Sequence, residues 1–134
     1  MATYHSASEE ETMALGRALG ERLQADSVIL LDGPLGAGKT AFVRGVAEGL
    51  GASPADVSSP TFTIVQRYDG RVPLQHVDLY RLTPKEVDDL ALDDLLEGAV
   101  VAVEWPDRWH DPPPGAYLVK IAIEGEGRVV EISR

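Results

Sequence analysis

A chain of 134 residues is one domain's worth of sequence, not two. At this size roughly 68–70% of the unfolded surface can be buried, so a real core is available. Hydrophobic residues make up 44% and charged residues 25%, an ordinary soluble balance. Asp and Glu number 22 against 12 Lys and Arg, for a formal charge of −10. Such a surface disfavours direct binding to a nucleic-acid backbone and to anionic membrane. The absence of Cys excludes disulfides, thiolate zinc sites and a Cys nucleophile, and fits a reducing compartment.

The first twelve residues carry Glu9, Glu10 and Glu11 and no Lys or Arg, unlike a secretory signal. The longest apolar runs, such as Ala99–Val103, are about five residues, whereas a membrane helix needs about 20. The expectation is a cytoplasmic protein. Residues 8–23 predict a helix, with Ser8 and Glu11 at capping-box spacing. Val28-Ile29-Leu30-Leu31 predicts a strand buried on both faces. After a Gly-rich turn, Lys39 to Leu50 predicts a second helix, ended by Gly51. Residues 51–59 read as a loop. Thr61–Tyr68 and Val72–Tyr80 read as strands joined at the turn signal Asp69-Gly70. In the second of these, Leu74, His76, Asp78 and Tyr80 share a face. Thr83-Pro84 opens one helix running to Glu97, with Gly98 as its stop. Val100–Val103 is another fully apolar strand. Residues 111–115, Asp-Pro-Pro-Pro-Gly, cannot lie inside a helix or strand. Tyr117–Ile123 and Arg128–Ile132 are strands around the turn Gly125-Glu126-Gly127. No repeat, low-complexity tract or linker interrupts the chain, which reads as a single domain over 1–134.

Gly33-Pro34-Leu35-Gly36-Ala37-Gly38-Lys39-Thr40 matches G-x-x-x-x-G-K-[ST] at every fixed position. The glycines let the backbone wrap so that successive N–H groups point at phosphate oxygens. The helix that follows brings its unpaired N–H groups and positive dipole end to the same anion. Lys39 reaches the β- and γ-phosphates, and the Thr40 hydroxyl binds Mg²⁺. An apolar strand before the loop and an amphipathic helix after it are the context this chemistry needs.

A P-loop also needs an acid on the Mg²⁺ side at the end of a buried strand. Glu104 after Val100–Val103 and Asp78 after Leu74–Val77 both qualify; each alone also reads as a surface carboxylate, but together with the P-loop one of them is expected to hold Mg²⁺. Ser58-Ser59-Pro60-Thr61-Phe62-Thr63 admits two readings. It is either a structural loop entering a strand or a switch segment that senses the γ-phosphate. His76 reads as a structural hydrogen-bonding residue, with a base as the alternative, and Trp105 and Trp109 as packing residues, with nucleotide stacking as the alternative. Glu86, Asp88, Asp89, Asp93, Asp94 and Glu97 read as a solvated helix face, with a partner surface as the alternative.

Leu31–Thr40, Ser59-Pro60-Thr61-Phe62-Thr63, His76-Val77-Asp78-Leu79-Tyr80-Arg81-Leu82 and Val103-Glu104-Trp105-Pro106 occur in that order. Together they resemble the TsaE (YjeE) family, bacterial ATPases of tRNA threonylcarbamoyladenosine (t6A) biosynthesis, over about Ser8 to Ile132. The resemblance implies an α/β P-loop fold with a mixed sheet flanked by helices. It implies binding of ATP with Mg²⁺, slow hydrolysis, and work with TsaD and TsaB on adenosine 37 of tRNA. On it, Thr40 and Glu104 ligate Mg²⁺, and Asp78 acts near the attacking water or metal. Thr61 lies in a switch-like loop, making Lys39, Thr61 and Asp78 the catalytic set. Ser8, Glu9 and Thr12 contact the base or ribose. Gly33, Leu35, Gly36, Ala37, Gly38, Lys39, Thr40, Ala41 and Arg128 complete the nucleotide-binding set. One departure is Pro34, where family members usually carry Asp. That position contributes backbone, so phosphate binding carries over while any role of the Asp side chain does not.

The principal alternative is a small nucleotide or metabolite kinase. Such an enzyme needs an Arg-rich lid, and between Lys39 and Glu104 only the widely spaced Arg44, Arg67, Arg71 and Arg81 occur. A GTPase is a second alternative, without its Asn-Lys-x-Asp guanine-reading pattern here. A non-catalytic, ATP-gated interaction module is a third.

Overall fold

The computed structural model describes residues 1–53, 55, 57 and 65–134. In chain order the elements are β1 (Ala2–Ser6), α1 (Glu9–Arg22), β2 (Ser27–Asp32), α2 (Lys39–Gly49), β3 (Val65–Tyr68), β4 (Leu74–Asp78), α3 (Pro84–Asp89), α4 (Leu92–Leu96), β5 (Val100–Glu104), β6 (Tyr117–Glu124) and β7 (Gly127–Ser133). A short 3-10 turn at Pro106–Arg108 follows β5. The strands form one mixed sheet in the order β1-β7-β6-β2-β5-β4-β3. Strands β4, β5, β2 and β6 run parallel, and β3, β7 and β1 complete the edges antiparallel to their neighbours.

The apolar runs at β2 and β5 are buried on both faces because helices cover both. Side chains alternate across a strand. Ile29, Leu31, Val100 and Ala102 therefore pack with Leu19, Phe42, Val43 and Val46 of α1 and α2. Leu30, Val101 and Val103 face the other way, toward Val87 of α3 and Leu92 of α4. The fold is thus the expected mixed sheet flanked by helices. Among the described residues, no helix is long and apolar enough to cross a membrane.

Ser8 caps α1 as expected, its Oγ accepting from the Glu11 N–H at 3.1 Å. The Glu11 carboxylate accepts from the Ala7 N–H, one residue before the cap. Helices α1 and α2 touch backbone to backbone through glycine. A Cβ on Gly16 would sit 2.1 Å from the Phe42 carbonyl oxygen, and one on Gly45 would sit 1.9 Å from that of Met13. Gly45→Ala therefore forces the pair apart although alanine is the better helix former. The expected cost is about 2–3 kcal/mol, read as a lower urea midpoint at unchanged m-value. A wild-type midpoint would mean that the crossing yields without strain.

Three elements differ from the sequence expectation. Ala2–Ser6 forms an edge strand paired with β7, from Ala2 against Ile132 to Ser6 against Arg128. The return strand of the hairpin begins at Leu74, not Val72. The single helix expected from Pro84 to Glu97 is two, broken at Ala91, whose φ is 50°. The reason is geometric. On one continuous helix Leu92 would point about 140° away from Val87, so both could not face the sheet. The left-handed break turns the second piece, and both side chains are buried. Thr83 and Glu86 form the capping box that starts α3. The acidic residues of α3 and α4, and Glu97 after them, are solvent-exposed.

Candidate nucleotide site

The carboxyl ends of adjacent parallel strands are where an open α/β sheet binds ligands. Here β2 delivers the P-loop, β5 delivers Glu104 and β4 delivers Asp78. Strand register sets Asp78 beside Glu104, and Leu31 beside Glu104 on the other side. The cleft they open has a volume of about 660 Å³, within the range of small-molecule sites.

The loop has the backbone the motif predicts. Gly36 and Gly38 have φ of 77° and 106°, left-handed values costly for any residue with a Cβ. Gly38 precedes α2 without a side-chain cap, so the first N–H groups of the helix remain for an anion. Leu35, Gly36, Ala37, Gly38, Lys39, Thr40 and Ala41 all line the cleft. Gly33 lies behind it, its carbonyl accepting from Lys39 Nζ at 2.7 Å.

Lys39 is buried, at 5% exposure. Its ammonium also sits over the Trp105 ring, 3.7 Å from the centroid, a cation–π contact. Burial pushes the ammonium below the ordinary lysine range, against the upward pull of Glu104, Asp78, Asp32 and Asp107. Trp105 itself holds a left-handed φ of 61°, rare for a bulky residue. Its ring packs against Tyr80 at 4.9 Å between centroids.

Asp78 is half-buried, and its Oδ1 accepts from the Tyr80 N–H at 2.9 Å. Burial raises its carboxyl above the usual carboxylate range. The Tyr80 hydrogen bond lowers it, and the Glu104 charge raises it again. Glu104 is buried at 4% exposure, and its Oε2 lies 2.6 Å from His76 Nε2. Thr40 and Glu104 line the same cleft.

Ser8, Glu9 and Thr12, expected at the base and ribose, line the same cleft, joined by Ser6 and Glu126. Thr12 is buried, with its hydroxyl 2.7 Å from that of Ser6. Glu9 pairs with Arg44 of α2 at 3.3 Å. Arg128 lines the cleft and donates to carbonyls of the P-loop, Nε to Ala37 at 3.0 Å and Nη2 to Gly36 at 3.1 Å. Thr61 and the rest of Ser58–Thr63, read as a possible switch, lie outside the described residues.

Tyr80, Arg81 and Trp105 line the cleft beside Asp78 and Glu104. Sequence reasoning did not place them in the site. Their signal was adjacency to the two strand-end acids, which the parallel topology turns toward one opening. Ser6 was missed because β1 was missed.

A family model described as threonylcarbamoyl adenosine biosynthesis protein TsaE matches residues 6–131. The chain is 46% identical to tRNA threonylcarbamoyladenosine biosynthesis protein TsaE of Nostoc sp., an alignment covering 95% of this chain and 82% of that protein. Identity to the protein of the same name from Treponema pallidum is 39%, over 88% of this chain and 87% of the other. Against the Bacillus subtilis protein of that name it is 44%, over 76% of this chain and 65% of the other. Among solved structures, the crystal structure of YdiB from Bacillus subtilis superposes with a TM-score of 0.79 at 32% identity, covering 96% of this chain and 82% of that one. Motif, topology and these likenesses agree, and the chain belongs to the TsaE family of threonylcarbamoyl adenosine biosynthesis proteins.

Proposed function

We propose that this protein is a cytoplasmic P-loop ATPase that binds ATP with Mg²⁺ and hydrolyses it slowly. Its turnover supports formation of t6A at adenosine 37 of tRNA, in company with TsaD and TsaB. The observation that carries this reading is the convergence of Lys39, Glu104 and Asp78 on the uncapped start of α2. The donor set fits the ion: Mg²⁺ commonly takes one or two carboxylates and completes its shell with phosphate oxygens and water. Glu104 and the Thr40 hydroxyl are the protein's part of that shell. Bound there, Mg²⁺ would neutralise charge on the β- and γ-phosphate oxygens.

The chain's own residues do the rest. The P-loop N–H groups and the α2 start bind the phosphates. Lys39 exchanges the Gly33 carbonyl and the Trp105 face for phosphate oxygens, a stronger charge-assisted contact. Asp78 orients the attacking water and accepts its proton. The water oxygen bonds to the γ-phosphorus as the bond from that phosphorus to the β–γ bridging oxygen breaks. A carboxyl raised by burial is a better proton acceptor than an exposed one. With a net charge of −10, contact with tRNA is left to the partners.

The test combines two measurements on the full chain. Phosphate release from ATP is followed alone and with TsaD and TsaB. Capture of those partners is compared with a non-hydrolysable ATP analogue, with ADP and without nucleotide. Slow release that rises with partners, and capture that depends on the nucleotide, are expected. Capture indifferent to nucleotide with no release of phosphate to water would overturn the proposal. Transfer of the γ-phosphate to a small acceptor instead would make the protein a kinase.

A further inference from the structure

His76 is fully buried on β4, two residues before Asp78 and on the same face. Its register neighbour on β5 is Ala102, and Leu74 and Ala102 around it are equally buried. Among the described residues only one of its nitrogens is used: Nε2 lies 2.6 Å from Glu104 Oε2, while Nδ1 is buried with no hydrogen-bond partner. A carboxylate can only accept, so Nε2 carries the hydrogen. Stranding the other nitrogen without a partner in a core is unfavourable. A leucine here would pack without that cost, so the role of the imidazole lies in its single bond to Glu104.

That bond matters because Glu104 has a competing partner. The Lys39 ammonium lies close enough to feel the Glu104 charge. A Glu104 side chain free to turn would pair with Lys39, withdrawing both groups from the phosphates. Carboxylates that ligate metals are held by such outer hydrogen bonds, and losing one typically weakens metal binding 10–100-fold. We propose that His76 is the positioning residue of Glu104: its Nε2–H fixes one carboxylate oxygen and leaves the other for the cation at the β- and γ-phosphates. This deepens the reading of Glu104 as a Mg²⁺ ligand and rests on it.

The experiment measures the affinity of the full chain for a non-hydrolysable ATP analogue, with Mg²⁺ and with EDTA. The ratio of the two affinities is the Mg²⁺ gain. His76→Leu is expected to cut that gain about tenfold or more while leaving the EDTA affinity unchanged. His76→Gln, whose amide reaches the Nε2 position, restores most of it. His76→Asn, whose amide reaches only the Nδ1 position, behaves like leucine. A purely packing role would not separate Gln from Asn in this way. A folded leucine variant with the wild-type gain, or Gln and Asn equally impaired, overturns the proposal. If leucine fails to fold by circular dichroism, the Gln–Asn comparison decides. Nitrogen-15 histidine spectra of the unaltered chain add a check without any variant, with a protonated Nε2 expected and a bare Nε2 contradicting it. Glu104→Ala measured in parallel separates the two levels of inference. If it keeps the full Mg²⁺ gain, the Glu104 ligand reading itself falls. If it loses the gain while His76→Leu keeps it, only the role of His76 falls.

Discussion

Lys39→Ala is expected to remove the proposed tight ATP binding and hydrolysis from a protein that still folds. The side chain makes a hydrogen bond to Gly33 and a contact with the Trp105 ring, and contributes little apolar core. Burial already works against its charge, so the melting temperature should shift by only a few degrees. Nucleotide binding is different, because no other lysine lines the cleft. Hydrogen bonds to charged groups contribute about 1.5–3 kcal/mol each. Two of them, to the β- and γ-phosphates, correspond to about 10²–10⁴ in Kd. Calorimetric titration and a thermal melt on the same sample read both quantities. Unchanged affinity in a folded variant would remove the phosphate-binding assignment altogether.

What could be read from sequence was whatever is contiguous. The P-loop is a run of eight residues between two strongly patterned elements, and its geometry follows from local spacing. Strands β2 and β5 announce themselves as apolar runs because helices bury them on both faces. Ala2–Ser6 has no such run. Three of its five side chains are exposed, and it is a strand because β7, more than a hundred residues later, supplies its hydrogen bonds. The break at Ala91 was hidden for a related reason. Val87, Leu90, Leu92, Leu95 and Leu96 suit a helix one by one, but their directions are incompatible only once the sheet face they must cover is known.

The site divides along the same line. Asp78 and Glu104 were readable as strand-end acids, yet nothing local shows that their strands are neighbours. Parallel register brings them together, and the same pairing carries His76 under Glu104 across 28 positions. The guanidinium of Arg128 reaches the loop carbonyls from over 90 positions away. Arg128 was placed among the nucleotide contacts. It lines the cleft, and its guanidinium donates to the Gly36 and Ala37 carbonyls of the loop.

The two acids should fail in different ways, and the difference is the sharpest test of their roles. On the proposed roles, Glu104→Ala is expected to lose the Mg²⁺-dependent part of nucleotide affinity, because the carboxylate proposed for the ion's shell is removed from the end of β5. Asp78→Asn keeps nucleotide affinity within about threefold, since Asn Oδ1 still accepts from the Tyr80 N–H. Its hydrolysis falls about 10²–10⁴-fold, the usual contribution of a positioned base. A reversed ranking would mean that the two residues exchange roles. Stability supplies an independent reading of Asp78. Its carboxyl is raised in the folded, nucleotide-free protein, chiefly by burial. The folded state therefore holds the proton more tightly than the unfolded one, and stability declines as pH rises from the ordinary Asp value to the raised one. Above that window the wild-type protein carries the full cost of a half-buried charge, and Asp78→Asn removes it. The variant should melt above wild type at neutral and alkaline pH, with the gain fading as pH falls through the raised pKa of Asp78. Paired thermal melts between pH 4 and 8 measure this. An Asn variant less stable than wild type at pH 8 would show that Asp78 is held by attraction and not strained by burial.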